Sequence, residues 1–337
     1  MAKTQNANKA NAVPDDISRA ILAAHRIALA GHVTPDADCL GSMGALALGL
    51  KDLGKSMHVA MPAGSISRRL SYLTDLFDLQ PATTLELQAC DLLIGLDTAK
   101  DRRLNIDGKL DALPGIPVLN VDHHATNTRF GKWNWVAPEA SSVCELVVDL
   151  IAALGCPLTP TMATLLYAGI HGDTQGFSLS NTSTKSLAVA HVLAASGARI
   201  PEVCEKLQRS HSRSEFELLK VIYGNARVSA DGRLAWSTAS HEEITAAGCV
   251  AEDIDNQVEI PRSVEGIRVA ILFTEGVPGK IRMNFRGERG AAVLELAREF
   301  GGGGHPTSAG AILDGSIAAV TEQVLAKARA FVAELSR

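Results

Sequence analysis

Short apolar runs alternate with helical patterns over the first half of the chain. The run Ile-Ala-Leu-Ala-Gly at residues 27–31 leads, after a polar loop, into a small-residue helical pattern from Cys39 to about Leu53. Further apolar runs follow at residues 56–61, 91–96 and 115–119. Further helical patterns follow at residues 141–154 and 159–170. Short continuous apolar runs are typical of strands buried on both faces. The alternation predicts an α/β fold with a doubly wound parallel sheet.

The pattern changes after residue 190. A helical stretch, interrupted at Gly197 and Pro201, leads to a region of predicted strands and two flanking helices. The predicted strands are Leu234–Ser237, Ile267–Phe273, Lys280–Phe285 and Ala309–Leu313. We therefore expect a second, smaller mixed α/β domain, with a cleft between it and the first. The predicted organisation is a disordered tail at residues 1–13, a first domain at 14–190, a helical connector at 191–226 and a second domain at 227–337.

Composition narrows the class of protein. The 337 residues are 46% hydrophobic, enough for two cored domains, and the net charge of −5 argues against stable coating of long nucleic acids. The six cysteines form no C-x-x-C pair and predict reduced thiols in a cytoplasmic protein. The N-terminal residues lack the apolar core of a signal peptide, and the most apolar window, Cys39–Leu50, is too short to span a membrane.

Acidic and histidine side chains stand at the ends of the predicted strands. In chain order they are His32, Asp36, Asp38, Asp97, Asp122, His123, His124 and Asp173. Because the carboxyl ends of parallel strands meet at one edge of a sheet, we expect these side chains to lie close together. Carboxylates and neutral imidazoles are the ligands of Mn²⁺ and similar divalent ions, so this edge is a candidate metal site.

Simpler interpretations exist for some of these residues. A helix N-cap is the alternative for Asp36 or Asp38, although it accounts for one acid and not for two acids and a histidine. Asp173 lies in a glycine-punctuated segment and is also compatible with a turn. His171, two residues earlier, is equally compatible with a structural role and with a role beside the site.

Four consecutive glycines precede His305. They cost backbone entropy and do not favour a regular element, whereas they allow backbone amides to approach a ligand closely, for instance as an anion-binding nest. The alternative is a flexible linker, but this segment lies between a helical pattern and an apolar strand. The sequence therefore predicts an anion-binding loop here.

The ordered motifs H-x-x-x-D-x-D, a strand-ending Asp, D-H-H, G-D-T and G-G-G-G-H resemble those of the DHH–DHHA1 phosphoesterase superfamily. The likeness is to its compact nanoRNase / pAp-phosphatase branch, and it extends from Ala30 to Leu313. It implies a DHH catalytic domain followed by a DHHA1 substrate-binding domain. It also implies two divalent metal ions. Mn²⁺ is the expected ion, and Mg²⁺ or Co²⁺ are the alternatives.

The resemblance assigns a role to each motif. The implied ligands are His32, Asp36 and Asp97 for the first ion and Asp38, Asp97, His123 and Asp173 for the second. Asp97 would bridge the ions, His124 would face the substrate phosphate, and Asp122 would orient His123; these three are the predicted catalytic residues. The implied substrate-binding residues are Arg286, Gly303, Gly304 and His305.

The expected activity is that of a phosphoric ester hydrolase. It would degrade short oligoribonucleotides to mononucleotides and remove the 3′-phosphate of 3′-phosphoadenosine 5′-phosphate (pAp) through hydroxide activated by two metal ions. A homodimer is compatible with the resemblance. A phosphodiesterase for cyclic or linear dinucleotides stays open, as does a nucleotide sensor without turnover. A DHH-type pyrophosphatase is disfavoured because that class lacks the glycine-rich loop. A RecJ-type exonuclease is disfavoured because that class is longer than this chain.

Three departures from the branch concern the predicted substrate side. Gln175 and Gly176 follow Thr174 where the branch has a glycine and a bulky residue. A glycine, Gly287, stands after Arg286 in place of a serine, and a serine replaces the first of two alanines after the glycine-rich loop. None of these changes affects a predicted metal ligand, so they concern substrate preference.

Overall fold

The computed structural model describes residues 13–60, 66–80, 87–104, 106, 110, 115–250, 254, 257–288 and 290–335. Residues 1–12 of the predicted tail lie outside the described residues. The chain forms two compact units, Met1–Ser210 and His211–Arg337.

The first unit contains a five-stranded parallel sheet. Its strands are β1 (Arg26–Ala30), β2 (Ser56–Ala60), β3 (Leu92–Leu96), β4 (Val118–Asp122) and β5 (Trp133–Val136), in the order β2-β1-β3-β4-β5. Its helices are α1 (Asp15–Ala23), α2 (Ala37–Asp52), α3 (Ser71–Thr74), α4 (Val143–Ala153), α5 (Pro160–Asp173), α6 (Thr184–Ala195) and α7 (Ile200–Gln208). All neighbouring strands are parallel, which confirms the predicted parallel α/β architecture.

Both faces of this sheet are buried, as the continuous apolar runs predicted. Ile27 and Leu29 of β1 belong to the larger core, whereas Ala28 and Ala30 belong to a smaller cluster on the opposite face. Successive side chains of a strand point to opposite faces, so a strand covered on both sides must be apolar at every position.

Glycines allow α2 to pack closely in the larger core. A Cβ atom on Gly41 would lie 2.3 Å from the backbone oxygen of Leu165 in α5, and one on Gly44 would lie 2.5 Å from the Phe77 ring. Because real Cβ atoms do not approach other atoms so closely, any side chain at these two positions would clash. The small residues of α2 therefore bring it close against α5.

The strand order reverses between β1 and β3. The chain passes from β1 to β2 on one side and then to β3, β4 and β5 on the other. At such a switch point the loops leaving the two neighbouring strands diverge and leave a crevice at their carboxyl ends. Strand β4 begins three residues later than the predicted run and ends at Asp122, because Val118 pairs with Leu93 of β3. The acidic strand ends therefore lie around this crevice.

The predicted connector contains helices. It includes the end of α6, the whole of α7 and helix α8 (Arg213–Asn225), and the division between the two compact units falls after Ser210. Among the described residues no single helix is long and apolar enough to cross a membrane. Only α6 and α7 taken together, with a bend of 119°, pass that test of length and composition.

The second unit is built around a mixed six-stranded sheet. Its strands are β6 (Arg227–Val228), β7 (Leu234–Ala239), β8 (Val269–Val277), β9 (Lys280–Gly287), β10 (Gly303–His305) and β11 (Ser308–Asp314), in the order β10-β11-β9-β8-β7-β6. Its further helices are α9 (His241–Ala246), α10 (Glu259–Arg262), α11 (Val293–Arg298) and α12 (Ile317–Glu334). Strands β7 and β8 are parallel and the other pairs antiparallel, which confirms the predicted mixed domain.

Part of the glycine-rich segment is a strand, contrary to the expectation that it forms no regular element. Gly303 pairs with Gly310 and Gly304 pairs with Ala309 of β11. A Cβ atom on Gly304 would lie 2.4 Å from the backbone oxygen of Ser308, and its φ of 142° is a conformation that side chains rarely adopt. The glycines therefore permit a close strand pairing as well as any approach to a ligand.

Gly304→Ala should lower the free energy of unfolding by about 1–3 kcal/mol, because it adds both a clash and backbone strain. Gly303→Ala is the matched control, since a Cβ atom there meets nothing within 4 Å. Thermal unfolding of both variants checks the prediction, and equal melting temperatures would contradict it.

Candidate metal centre

Asp36 serves two purposes in the loop after β1. Its Oδ1 atom caps α2 by accepting hydrogen bonds from the backbone N–H groups of Asp38 and Cys39, both at 3.0 Å. Its Oδ2 atom lies 3.7 Å from Nε2 of His32. The N-cap interpretation and the ligand interpretation are therefore compatible, because each uses a different oxygen of one carboxylate.

Asp38 is fully buried and is held by another helix. Its Oδ2 accepts a hydrogen bond from the backbone N–H of Val143 at 2.6 Å and its Oδ1 one from Cys144 at 2.8 Å, at the N-terminus of α4. A helix N-terminus favours a negative charge. Gly169 of α5 leaves room for this carboxylate, since a Cβ atom there would lie 2.8 Å from Oδ1. Burial, followed by the charge of Asp97, raises the pKa of Asp38 to about 7.

Asp97 lies between the other candidate ligands. It follows β3 directly, is 3% exposed and has a φ of 53°, a left-handed conformation that is uncommon for residues other than glycine. Its Oδ2 is 3.3 Å from Nε2 of His32, and its Oδ1 is 3.7 Å from Nε2 of His123 and 3.6 Å from Nδ1 of His124. The carboxylate therefore faces both sides of the site.

The ring orientations of two histidines follow from their backbone partners. Nδ1 of His32 lies 2.8 Å from the carbonyl oxygen of Val33, and Nδ1 of His123 lies 3.3 Å from that of Ala140. A carbonyl oxygen only accepts, so each Nδ1 carries the hydrogen when the ring is neutral. Each Nε2 atom is then the lone-pair nitrogen and faces Asp97, the arrangement that a metal-ligating histidine requires.

Asp122 orients His124, whereas we expected it to orient His123. Its Oδ1 is 2.7 Å from Nδ1 of His124. Asp122 ends β4, so the side chain two residues later returns towards it, while His123 points to the Ala140 carbonyl. Burial disfavours the charged His124 ring, but the hydrogen bond to Asp122 and the charge of Asp97 raise the pKa of His124 to about 9.

The candidate ligands form three overlapping groups among the described residues. Within each group, one donor atom per residue lies within 4.8 Å of the others. The groups are His32–Cys39–Asp97, Asp97–His123–His124 and Asp38–His123–Asp173. Five of the six predicted metal ligands belong to them, and Asp36 adjoins the first through His32. His123 links the last two groups, since its Nε2 is also 3.3 Å from Oδ2 of Asp173.

This set of donors fits divalent cations. Oδ1 of Asp97 is buried, has no hydrogen-bond partner among the described residues and lies 3.6 Å from the His124 ring, so a metal cation beside this oxygen would be favourable. Carboxylate oxygens and imidazole nitrogens are suitable ligands for such an ion. The residues present can therefore hold metal at both sides of Asp97.

Two residues near the centre escaped the sequence analysis. The thiol of Cys39 lies within the first group, and burial raises its pKa, so it stays protonated in the absence of metal. Asn181 donates hydrogen bonds to the carbonyl oxygens of Ser141 and Asp173, both at 3.1 Å, and so fixes the end of α5 that carries a candidate ligand. The position of Cys39 in the first turn after the H-x-x-x-D-x-D motif was the only available signal for it.

His171 belongs to none of these groups. Its Nε2 lies 2.9 Å from the amide nitrogen of Gln208, and its ring packs near Tyr167 and Phe177. Burial lowers the pKa of His171, which favours the neutral ring. These contacts support the structural interpretation.

In the second unit, two of the predicted substrate-binding side chains share a row of the sheet. Arg286 of β9 pairs with Ser308 of β11, and Ser308 pairs with His305 of β10. Directly paired residues project their side chains from the same face. Nε of Arg286 also lies 3.4 Å from Oε1 of Glu259, which limits the orientations of the guanidinium group.

Comparison with known families now identifies the class of protein. Residues 26–170 match the model of the DHH family, N-terminal domain, and residues 241–334 match that of the DHHA1 domain. The chain belongs to the DHH–DHHA1 family, as the motif order predicted.

The chain is similar to known proteins over most of its length. The bifunctional oligoribonuclease and PAP phosphatase NrnA of Thermus thermophilus is 33% identical over 297 residues, covering 86% of this chain and 84% of the relative. The protein of the same description from Bacillus subtilis is 29% identical over 302 residues, covering 88% and 92%. The crystal structure of an exopolyphosphatase-related protein from Bacteroides fragilis has the same fold, with a TM-score of 0.86, 24% identity and coverage of 95% and 97%.

Metal binding should release a proton near neutral pH. Because the pKa of Asp38 is raised to about 7, its carboxyl group is largely protonated at about pH 6, and a metal ion must displace that proton. The affinity for Mn²⁺ should therefore increase as the pH is raised from about 6 to about 8. Calorimetric titration in buffers with different ionisation enthalpies measures the release, and a pH-independent affinity without it would contradict the prediction.

Proposed function

We propose that the protein is a Mn²⁺-dependent phosphoesterase that hydrolyses short oligoribonucleotides to mononucleotides and removes the 3′-phosphate of pAp. The observation that carries the proposal is the buried Asp97 carboxylate, which faces imidazoles on both sides and has one oxygen without a hydrogen-bond partner among the described residues. The description of the Thermus and Bacillus relatives, which match most of the chain, supports this substrate class.

We propose two half-sites that share Asp97. His32 and Asp36 would hold one ion, and Asp38, His123 and Asp173 would hold the other. When bound, two divalent ions offset the charge of a phosphate and lower the pKa of water. The protein contributes rigidity: α4 amides hold Asp38, and backbone carbonyls fix the rings of His32 and His123. Little rearrangement of these side chains is then needed during the reaction.

His124 is the proposed phosphate contact. Its side chain is 24% exposed, more than that of Asp97 or His123, and its raised pKa favours the positively charged ring near neutral pH in the metal-free protein. A charged imidazole donates hydrogen bonds from both nitrogens. With Nδ1 directed to Asp122, the ring can donate from Nε2 to a phosphate oxygen and hold a proton for the departing ribose oxygen.

Arg286, Gly303, Gly304 and His305 are the proposed nucleotide-binding residues. A guanidinium group forms paired hydrogen bonds with phosphate, and β10 offers glycine backbone without side chains. These residues would bind the nucleotide rather than take part in bond cleavage.

A panel of substrates tests the function. With Mn²⁺, the purified protein should release mononucleotides from di- to pentaribonucleotides and phosphate from pAp. Hydrolysis confined to cyclic or linear dinucleotide signalling molecules would favour the phosphodiesterase alternative. Tight binding of nucleotides without any hydrolysis would favour the sensor and refute the proposal.

Asp97→Asn should reduce kcat by more than about a hundredfold, because it removes the charge shared by the two half-sites. The metal-free variant should remain folded, since asparagine keeps the size and shape of the buried side chain. Asp101→Asn, at a nearby exposed position, is the control and should retain activity. An active Asp97→Asn protein would contradict the bridging role.

Arg286→Gln should reduce kcat/KM for short oligoribonucleotides by about ten- to a hundredfold, the usual effect of losing a hydrogen bond from a charged group. The decrease should appear mainly as a higher KM. Arg282→Gln, on the same strand and exposed, is the matched control. Kinetic constants of Arg286→Gln that equal those of Arg282→Gln and of the parent protein would exclude Arg286 from substrate binding.

A further inference from the structure

Asn127 lies at a junction of the candidate centre that neither the motifs nor the proposed mechanism use. Its amide nitrogen is 2.5 Å from Oδ2 of Asp122, 2.7 Å from Oδ1 of Asn120 and 3.2 Å from the carbonyl oxygen of Thr98. Its own Oδ1 accepts a hydrogen bond from the backbone N–H of Arg129 at 2.6 Å. The side chain therefore bridges the end of β4 and the turn that follows β3.

On one side, Asn127 acts on the Asp122–His124 pair. One oxygen of Asp122 holds the His124 ring and the other accepts from Asn127. Asp122 is completely buried, so a lost donor leaves an oxygen of a buried carboxylate without that partner. The carboxylate would then turn, and the ring that it holds would turn with it.

On the other side, Asn127 acts on the turn that carries Asp97. The Thr98 carbonyl oxygen accepts hydrogen bonds from the side-chain amides of both Asn120 and Asn127, at 3.1 and 3.2 Å. Asp97 immediately precedes it in a left-handed conformation, which persists only where the surrounding structure fixes it. The two amides therefore help to keep the Asp97 carboxylate between the imidazoles.

We propose that Asn127 is a positioning residue that fixes the orientation of the Asp97 carboxylate relative to the His124 ring. The inference rests on the proposed metal centre and deepens it. The hydrogen bonds of the Asn127 side chain are made to other parts of the protein. Asn127 acts through Asp122 and through the Thr98 carbonyl, so its loss should weaken metal binding and slow the reaction together.

Asn127→Ala tests this role, with Asn134→Ala as the matched control. Asn134 of β5 exchanges hydrogen bonds with the backbone of Gly131, at 3.0 and 2.6 Å, at the end of the connection between β4 and β5. Both variants lose local hydrogen bonds of one asparagine, but only Asn127 is linked to Asp97 and Asp122. Mn²⁺ affinity by calorimetry, kcat and KM for a trinucleotide, and metal-free melting temperature are measured for each.

Asn127→Ala should lower Mn²⁺ affinity and kcat by about 10–100-fold, the usual effect of removing a group that orients metal ligands. Asn134→Ala should keep both at the parental level, whatever its melting temperature. In a double-mutant cycle with Asp122→Ala, the effect of Asn127→Ala should shrink without vanishing, since only one of its two routes passes through Asp122.

Parental Mn²⁺ affinity and kcat in Asn127→Ala would overturn the inference, and so would equal losses in Asn134→Ala. Failure of the proposed function has a different signature. A parent protein that binds two Mn²⁺ ions and hydrolyses no oligoribonucleotide or pAp refutes the function, while the affinities of the variants still decide the role of Asn127.

Discussion

The attraction between a buried cluster of carboxylates and a cation is the interaction on which the candidate site depends. Asp97 lies at the point where the strand order reverses, with other carboxylates close by. Burial and the neighbouring charges of Asp38 and Asp36 raise the pKa of Asp173 well above its ordinary value. Like charges brought together in a buried place repel one another unless protons or cations intervene. Divalent ions at both sides of Asp97 would resolve this repulsion.

The fold supplies the geometry that the charges require. The parallel sheet gathers loops from β1, β3 and β4 at one edge, and the N-terminus of α4 and the end of α5 bring two further groups to it. Four of the candidate ligands are held by backbone groups: carbonyl oxygens for His32 and His123, and pairs of amides for Asp36 and Asp38. Such support orients ligands before any ion binds, which is how outer contacts tune a metal site.

Much of this arrangement could be predicted from the sequence. Continuous apolar runs indicated a sheet buried on both faces, and the acids after those runs indicated which edge would carry them. The partner of Asp122 could not be predicted, because it depends on how the chain turns after β4. The double use of Asp36 and the position of Cys39 depend on side-chain rotations that spacing does not specify. The glycine-rich segment was predicted as a loop because propensity disfavours glycine in strands, whereas close pairing with β11 requires it.

Electron paramagnetic resonance of the Mn²⁺-loaded protein tests the central claim most directly. Two ions that share the Asp97 carboxylate should be magnetically coupled, so the spectrum at two equivalents should differ from that of isolated Mn²⁺, and Asp97→Asn should abolish the coupling. An uncoupled six-line spectrum at saturation, or one ion bound per chain, would contradict a centre organised around a bridging Asp97.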